Sequence, residues 1–223
     1  MALLNKTKSF SKDNLSLEHL LLFKNHLGSR FSFRNKNVDE YIFGVDSLSN
    51  TIFNVEKTLV LLRRALTFIS LIKKENKQIL FVGTGLKARK LTKYVGESTN
   101  QPYVNTRWVK GLLTNWESIS SSVKFYNLFL KRLNLSKKAG QKLTQTFEGL
   151  SSLKELPAVI FVIDLDYDFE VVAEANKLNI PVIAIIDNNS KIINKIDYPI
   201  LSNTGSVLPL FLVISLVIET FKK

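Results

Sequence analysis

Two loops and one helical stretch in this chain of 223 residues hold residue types that could do chemistry. Gly83-Thr84-Gly85-Leu86-Lys87-Ala88 fits the pattern G-x-G-x-x-G/A. After a strand and before a helix, such a loop lets a pyrophosphate approach the backbone and the helix N-terminus. A dinucleotide site also wants an acid about 20 residues later for the ribose. Tyr103 to Arg107 holds none, and no Gly-Lys-Ser/Thr makes a mononucleotide phosphate loop. The plainer reading is a tight strand-to-helix turn.

Asp164-Leu165-Asp166-Tyr167-Asp168 is the second loop. Two carboxylates one residue apart at a strand end could hold Mg²⁺, or one could attack a phosphoryl group, as in haloacid-dehalogenase-type phosphatases. Those enzymes place Thr or Val where Asp168 stands here. A calcium loop would need Gly at Phe169 and Glu at Ala175. The plainer reading is a solvated loop whose acids cap the next helix. His19 and His26 are seven apart and fall on one face of an expected helix, without a third metal ligand. There is no G-x-S-x-G nucleophile elbow. Without cysteine, thiolate metal sites, disulfides and cysteine catalysis are excluded. The expectation is no catalytic residue, no metal and no cofactor.

The elements that position these loops follow from apolar spacing. Ser16 is a plausible N-cap for a helix over Leu17 to His26, with Gly28 just past its end. Tyr41-Ile42-Phe43 and Thr51-Ile52-Phe53 flank a turn-rich stretch, and Asn54 can cap a long helix reaching about Lys74. Its Leu59, Leu62, Leu66 and Ile69 make one apolar stripe. Ile79 to Val82, Val159 to Ile163 and Val182 to Ile186 are uninterrupted apolar runs, as expected of strands buried on both faces. Helices are expected over about Leu86 to Val95, Phe169 to Leu178 and Gly205 to Phe221. This rhythm predicts an α/β fold: a Rossmann/flavodoxin-like parallel sheet with helices on both faces. Residues 117–154 break the rhythm, polar and basic with Val123, Tyr126, Leu130 and Leu133 at helical spacing, and read as an inserted basic helical hairpin. The chain is expected to be one domain over 1–223, with a basic N-terminal arm over 1–14. That arm faintly resembles a mitochondrial presequence, without its Arg. The apolar run Val207 to Ile218 is shorter than the roughly 20 residues a membrane span needs, so a buried helix and no membrane partner are expected.

Charge is the strongest signal. Lys+Arg number 31 against 19 Asp+Glu, a net +12 that calls for a polyanionic partner. Lys73 to Lys110 holds nine basic residues opposed by Glu75 and Glu97 alone, and Lys124 to Lys142 holds six and no acid. Asp164 to Glu174 holds five acids and no base, so a basic side and an acidic side are expected. Aromatic residues lie among the basic ones, as suits contact with phosphates, sugars and bases.

The stretch from Tyr103 to Trp116, Y-V-N-T-R-W-V-K-G-L-L-T-N-W, resembles the signature Y-V-N-x-R-W-L-G-G-x-L-T-N-[FW] of the bacterial-type family of small-subunit ribosomal protein two. Tyr41 to Gly44, Ile79 to Thr84, Leu156-Pro157, Glu174 to Val182, and Ile196 to Ile200 with Asn203 resemble further family segments in the same order. The likeness covers the chain from about Leu20. Departures exist. Ser29 replaces the second His of H-F-G-H. Lys110 stands where the family has Gly, and Gly85 where it usually has Lys. Asn189-Ser190-Lys191 replaces an N-C-D-P loop, and Thr204-Gly205 an acidic pair. They fit a diverged organellar member, as does an abundance of Asn, Lys, Ile and Phe.

The resemblance implies a structural constituent of the small ribosomal subunit, not an enzyme and without a small-molecule substrate. It would sit between head and body, near the mRNA exit region, against rRNA and neighbouring ribosomal proteins. The location implied is a mitochondrial ribosome, with plastid or bacterial cytoplasm as alternatives. Residues expected to bind RNA are Arg30, Arg34, Lys36, Lys87, Arg89, Lys90, Lys93, Asn105, Arg107, Trp108, Lys110, Asn115, Lys124, Lys131, Arg132, Lys137 and Lys138. Asn105, Trp108, Asn115 and Trp116 have a second reading, as buttresses of their loop. The competing function is an α/β enzyme handling a nucleotide or phosphoester through Gly83–Ala88 or Asp164–Asp168.

Overall fold

The protein is described by a computed structural model over residues 15–130 and 145–222. Uninterrupted apolar runs form the centre. Strands β4 (Ile79–Val82), β6 (Val159–Val162) and β7 (Val182–Ile186) are buried at every position. Two edge strands, β5 (Tyr103–Val104) and β8 (Tyr198–Leu201), complete a parallel sheet of order β5-β4-β6-β7-β8. Counted along the chain, that is the 2-1-3-4-5 order of flavodoxin-like folds, with its switch point between β4 and β6.

Alternate residues of the strands point to opposite faces. Ile79, Phe81, Phe161, Ile183 and Ile185 join one core cluster with α1 (Leu17–Leu22), α2 (Val55–Lys74), α3 (Arg89–Thr99) and α6 (Val207–Lys222). Leu80, Val82, Ile160, Val162 and Ala184 join a second with α4 (Trp116–Phe125) and α5 (Phe169–Lys177). Helices therefore cover both faces. The Asn54 side chain accepts from the Lys57 N–H at 3.1 Å and starts α2. In α6, Leu212, Val213, Ile214 and Val217 have no exposed surface, as expected of a packed helix. Among the described residues, no helix is long and apolar enough to cross a membrane.

Two helices have bounds that differ from expectation by three residues or more. The first helix ends at Leu22, because Lys24 turns left-handed at φ 58° and residues 27–30 are claimed by a sheet. Leu27–Arg30 (β1), Ile42–Val45 (β2) and Asn50–Phe53 (β3) form a three-stranded antiparallel sheet of order β1-β3-β2. Gly28 is therefore no helix terminator; a Cβ there would lie 3.0 Å from the Phe53 ring and from Asp187 Oδ1. His26 also leaves the helix, so the two histidines share no helical face. The third helix starts at Arg89, three residues late, because Leu86 to Ala88 form a turn in which the Ala88 and Arg89 N–H groups both donate to Gly85 O, at 2.9 and 3.0 Å.

Of the expected hairpin over 117–154, the structure describes α4, a π-helical turn (Tyr126–Leu130) and a 3-10 turn (Glu148–Leu150). Residues 131–144, with Lys131, Arg132, Lys137 and Lys138, lie outside the described residues, as does the 1–14 arm.

Candidate nucleic-acid interface

Both loops singled out for chemistry lie at the switch point, where doubly wound folds bind ligands, but here they close on each other. Thr84 donates its N–H to Asp168 Oδ2 at 2.9 Å and its hydroxyl to Oδ1 at 2.7 Å. An internal carboxylate thus occupies the backbone donor that a phosphate would use. A Cβ on Gly83 would collide with Thr92 Oγ1, and one on Gly85 with Asp164 Oδ2. The glycines admit the protein's own side chains. Among the described residues, no three His, Cys, Asp or Glu stand together as a metal site. His19 is an end group of its helix, its Nδ1 2.9 Å from the Ser16 hydroxyl and 3.2 Å from the Ser16 N–H, which donates to it.

Four of the five acids after β6 are buried or paired within the protein, and Asp166 alone is left exposed, which overturns the expected acidic side. Asp164 and Asp168 are buried. Glu170 pairs with Lys110 at 2.8 Å. Glu174 Oε1 accepts from the Trp108 indole at 3.0 Å and the Gly111 N–H at 2.7 Å, and Oε2 from the Leu113 N–H at 3.1 Å. One carboxylate on α5 thereby fastens the 103–116 signature loop to the sheet. Gly111 adopts φ +83°, where a side chain would be strained. Trp108 is 8% exposed, so of its two readings the geometry is that of the buttress. Trp116 is half-buried against the same cluster, while Asn115 is exposed and Asn105 half-buried.

Burial raises three carboxyls at this edge of the sheet above their usual range. Asp164 is pushed up to about 6, first by loss of solvent and then by repulsion from Asp166 and Asp168. Asp168 and Asp187 are raised by burial, against the hydrogen bonds that favour their charged forms. The unfolded Asp164 releases its proton near pH 4, the folded one near 6. The folded state therefore binds this proton more tightly, and stability falls by about 3 kcal/mol as pH rises through that window. Asp164→Asn is expected to match the parent at pH 4 and exceed it by about that amount at pH 7. Urea titrations at the two pH values check this; equal stability at pH 7 would refute it.

The structure brings the expected RNA contacts into two groups. In the first, Arg89 donates to Thr84 O at 2.8 Å and to Thr106 O at 3.4 Å. Thr106 Oγ1 donates to Gln145 O at 2.9 Å, and Lys93 pairs with Glu148 at 3.2 Å and Glu97 at 3.6 Å. These bonds knit the start of α3, the loop at Arg107 and residues 145–148 into one surface. The Glu148 bond, foremost, raises the Lys93 pKa. Lys90, Arg107 and Lys124 are exposed. Lys87 donates to Gly205 O at 2.6 Å, linking the β4 loop to the loop after β8.

The second group lies at the end of β7. Arg30 and Lys36 are exposed, and Arg34 stacks over Phe31 at 4.0 Å and pairs with Asp39 at 2.9 Å. What places it is a junction that sequence reasoning missed. Ser29 donates its N–H to Asp187 Oδ1 at 3.1 Å and its hydroxyl to Oδ2 at 2.8 Å. Asn188 Nδ2 donates to Thr51 Oγ1 at 2.6 Å and Ser29 O at 3.0 Å, and Asn35 N–H to Asn188 O at 2.7 Å. The available signal was polar residues directly after a buried strand, with Ser29 at a point of family departure.

A comparison with protein families matches residues 20–223 to Ribosomal protein S2. The small ribosomal subunit protein uS2 of Hahella chejuensis is 34% identical over 206 residues, 86% of this chain and 81% of the relative. That of Wigglesworthia glossinidia brevipalpis is 33% identical, over 94% of this chain and 92% of the relative. That of Ehrlichia ruminantium is 38% identical, over 82% and 67%. The chain belongs to the ribosomal protein S2 family. In this member of the family, the signature stretch is a fastened loop: Tyr103, Val104, Trp108, Leu112 and Leu113 are buried, and Arg107, Lys110 and Asn115 are exposed.

Proposed function

We propose that the chain binds rRNA through the surface made by Lys90, Lys93, Arg107, Lys124 and the start of α3, with Arg30, Arg34 and Lys36 as a second contact. Family membership makes it a structural constituent of the small ribosomal subunit, working in translation. The observation that carries the RNA reading is the knitting of Arg89, Thr106, Gln145, Lys93 and Glu148 into one exposed, basic surface. Lys and Arg there meet phosphates with little sequence selectivity. Neighbouring ribosomal proteins are the remaining partners. The structural, non-catalytic reading is supported by the tied switch-point loops, in which Asp168 is bonded to Thr84.

We place it in a mitochondrial ribosome on its departures at Ser29, Lys110 and Asn189-Ser190-Lys191 and its Asn, Lys, Ile and Phe content. A bacterial cytoplasm fits the relatives equally. Sedimentation of the native protein through sucrose at two salt concentrations, with sequencing of the RNA in each fraction, tests this. Migration with small-subunit rRNA that survives moderate salt is expected, and the rRNA sequence names the compartment. A peak free of RNA at both salts would overturn the reading.

A further inference from the structure

Asp166 stands between two cavities at the carboxyl edge of the five-stranded sheet. One, of about 600 Å³, is lined by Phe33, Asp166, Phe169, Asn189, Ser190 and Lys191 among others. The other, of about 280 Å³, is lined by Asp166 with Leu86, Lys87 and Tyr167. Leu86 is 79% exposed, Phe33 66%, Tyr167 65% and Phe169 57%. Single exposed apolar residues are ordinary, but four around adjoining cavities mark a binding surface.

The wall of the larger cavity also holds unmet hydrogen-bonding groups. Ser190 is 3% exposed and its Oγ has no partner; Asn189 Oδ1 has none either. Asn189 Nδ2 donates to Asp166 Oδ2 at 3.1 Å, which leaves Oδ1 of that carboxylate for a ligand. Lys191 is exposed beside them. The occupant therefore has a flat apolar body for the two phenyl rings, N–H donors for Asp166, and negative charge for Lys191. An arginine would satisfy the acid but meet Lys191 with like charge. An aliphatic side chain would leave Asp166 and Ser190 unmet.

We propose that this cavity takes an unstacked base of single-stranded RNA, guanine in preference. Aromatic side chains stack on splayed bases in sequence-specific RNA recognition. Guanine alone among the four presents adjacent N–H donors, on N1 and N2, to one carboxylate, and the exposed Lys191 on the cavity wall supplies a cation for its phosphate. The proposal rests on the RNA reading above and gives it a base-reading site apart from the α3 surface.

The test uses the full chain and two RNA octamers of uridine, one with a central guanosine and one with a central cytidine. The guanosine octamer is expected to bind about 10-fold more tightly. Phe33→Ala and Phe169→Ala should each weaken it about 10-fold with the salt slope unchanged, because stacking releases no counterions. Asp166→Asn should abolish the guanosine preference without weakening the cytidine octamer. These side chains are exposed, and circular dichroism confirms each variant's fold. Equal binding of the two octamers, or Ala variants that bind like the parent, would overturn the proposal. If the parent binds small-subunit rRNA but neither octamer, the cavity proposal falls and the RNA reading stands. If it binds no RNA at all, both fall. Protection of Phe33 and Phe169 from solvent labelling only in the assembled subunit, and not by RNA, would give the cavity to a neighbouring protein and also overturn it.

Discussion

Glu174→Ala is expected to lower folding stability by about 4 kcal/mol, because it orphans three donors at once. The Trp108 indole and the Gly111 and Leu113 N–H groups all end on this one carboxylate. Trp108 and Leu113 are buried, so water does not readily replace the lost acceptor. Each unmet buried donor costs about 1–3 kcal/mol, and bonds to a charged acceptor lie at the upper end. Glu174→Gln keeps one acceptor oxygen and should fall between parent and alanine variant. Urea unfolding followed by tryptophan fluorescence reads both, since Trp108 reports the loop itself. A loss under about 1 kcal/mol for the alanine variant would show that the loop is held by its apolar residues alone. The loop presents Arg107 and Lys110, so the same variant should also bind rRNA more weakly.

Joint reversal of Lys90 and Arg107 to Glu is expected to weaken rRNA binding about 100-fold and to lower the slope of log affinity against log salt by about 2. Both side chains are exposed, and neither forms an ion pair among the described residues, so folding stability should hold. Lys87 and Arg89 are poorer sites for this experiment. Their side chains also hold Gly205 O and Thr84 O, and reversing them would disturb the switch-point loops. Filter binding across a salt series checks the result. Weaker binding with an unchanged slope would mean that these residues shape the surface without meeting phosphates.

The central strands and the long α2 were legible because each rests on local pattern. Four or five consecutive apolar residues leave few options but a strand buried on both faces, and Ile79–Val82, Val159–Val162 and Val182–Ile186 are such strands. The stripe and cap of Val55–Lys74 lie within one helix. β1, β5 and β8 were not legible. Leu27–Arg30 contains Gly28, Tyr103–Val104 is two residues long and Tyr198–Leu201 contains Pro199. Such segments become strands only because a distant strand offers them partners, as Ile52 does for Leu27 and Ala184 for Pro199. Proline is tolerated there because β8 is an edge.

The candidate surface divides the same way. Its charge, its signature and its membership in a family could be read from residue types in order, since composition and motifs need no folded neighbour. The partners of each charge could not. The acids at 164–174 read as an exposed acidic side, yet Glu174 serves the signature loop 61 to 66 residues away, and Asp168 serves Thr84 at a separation of 84. Trp108 had two roles until burial and one hydrogen bond selected the buttress. By itself the sequence determined that this is a basic, doubly wound member of a ribosomal protein family. Only the tertiary structure decided which charges face solvent and which hold the loops, because hydrogen bonds between groups tens of residues apart exist only after the sheet has brought their strand ends together.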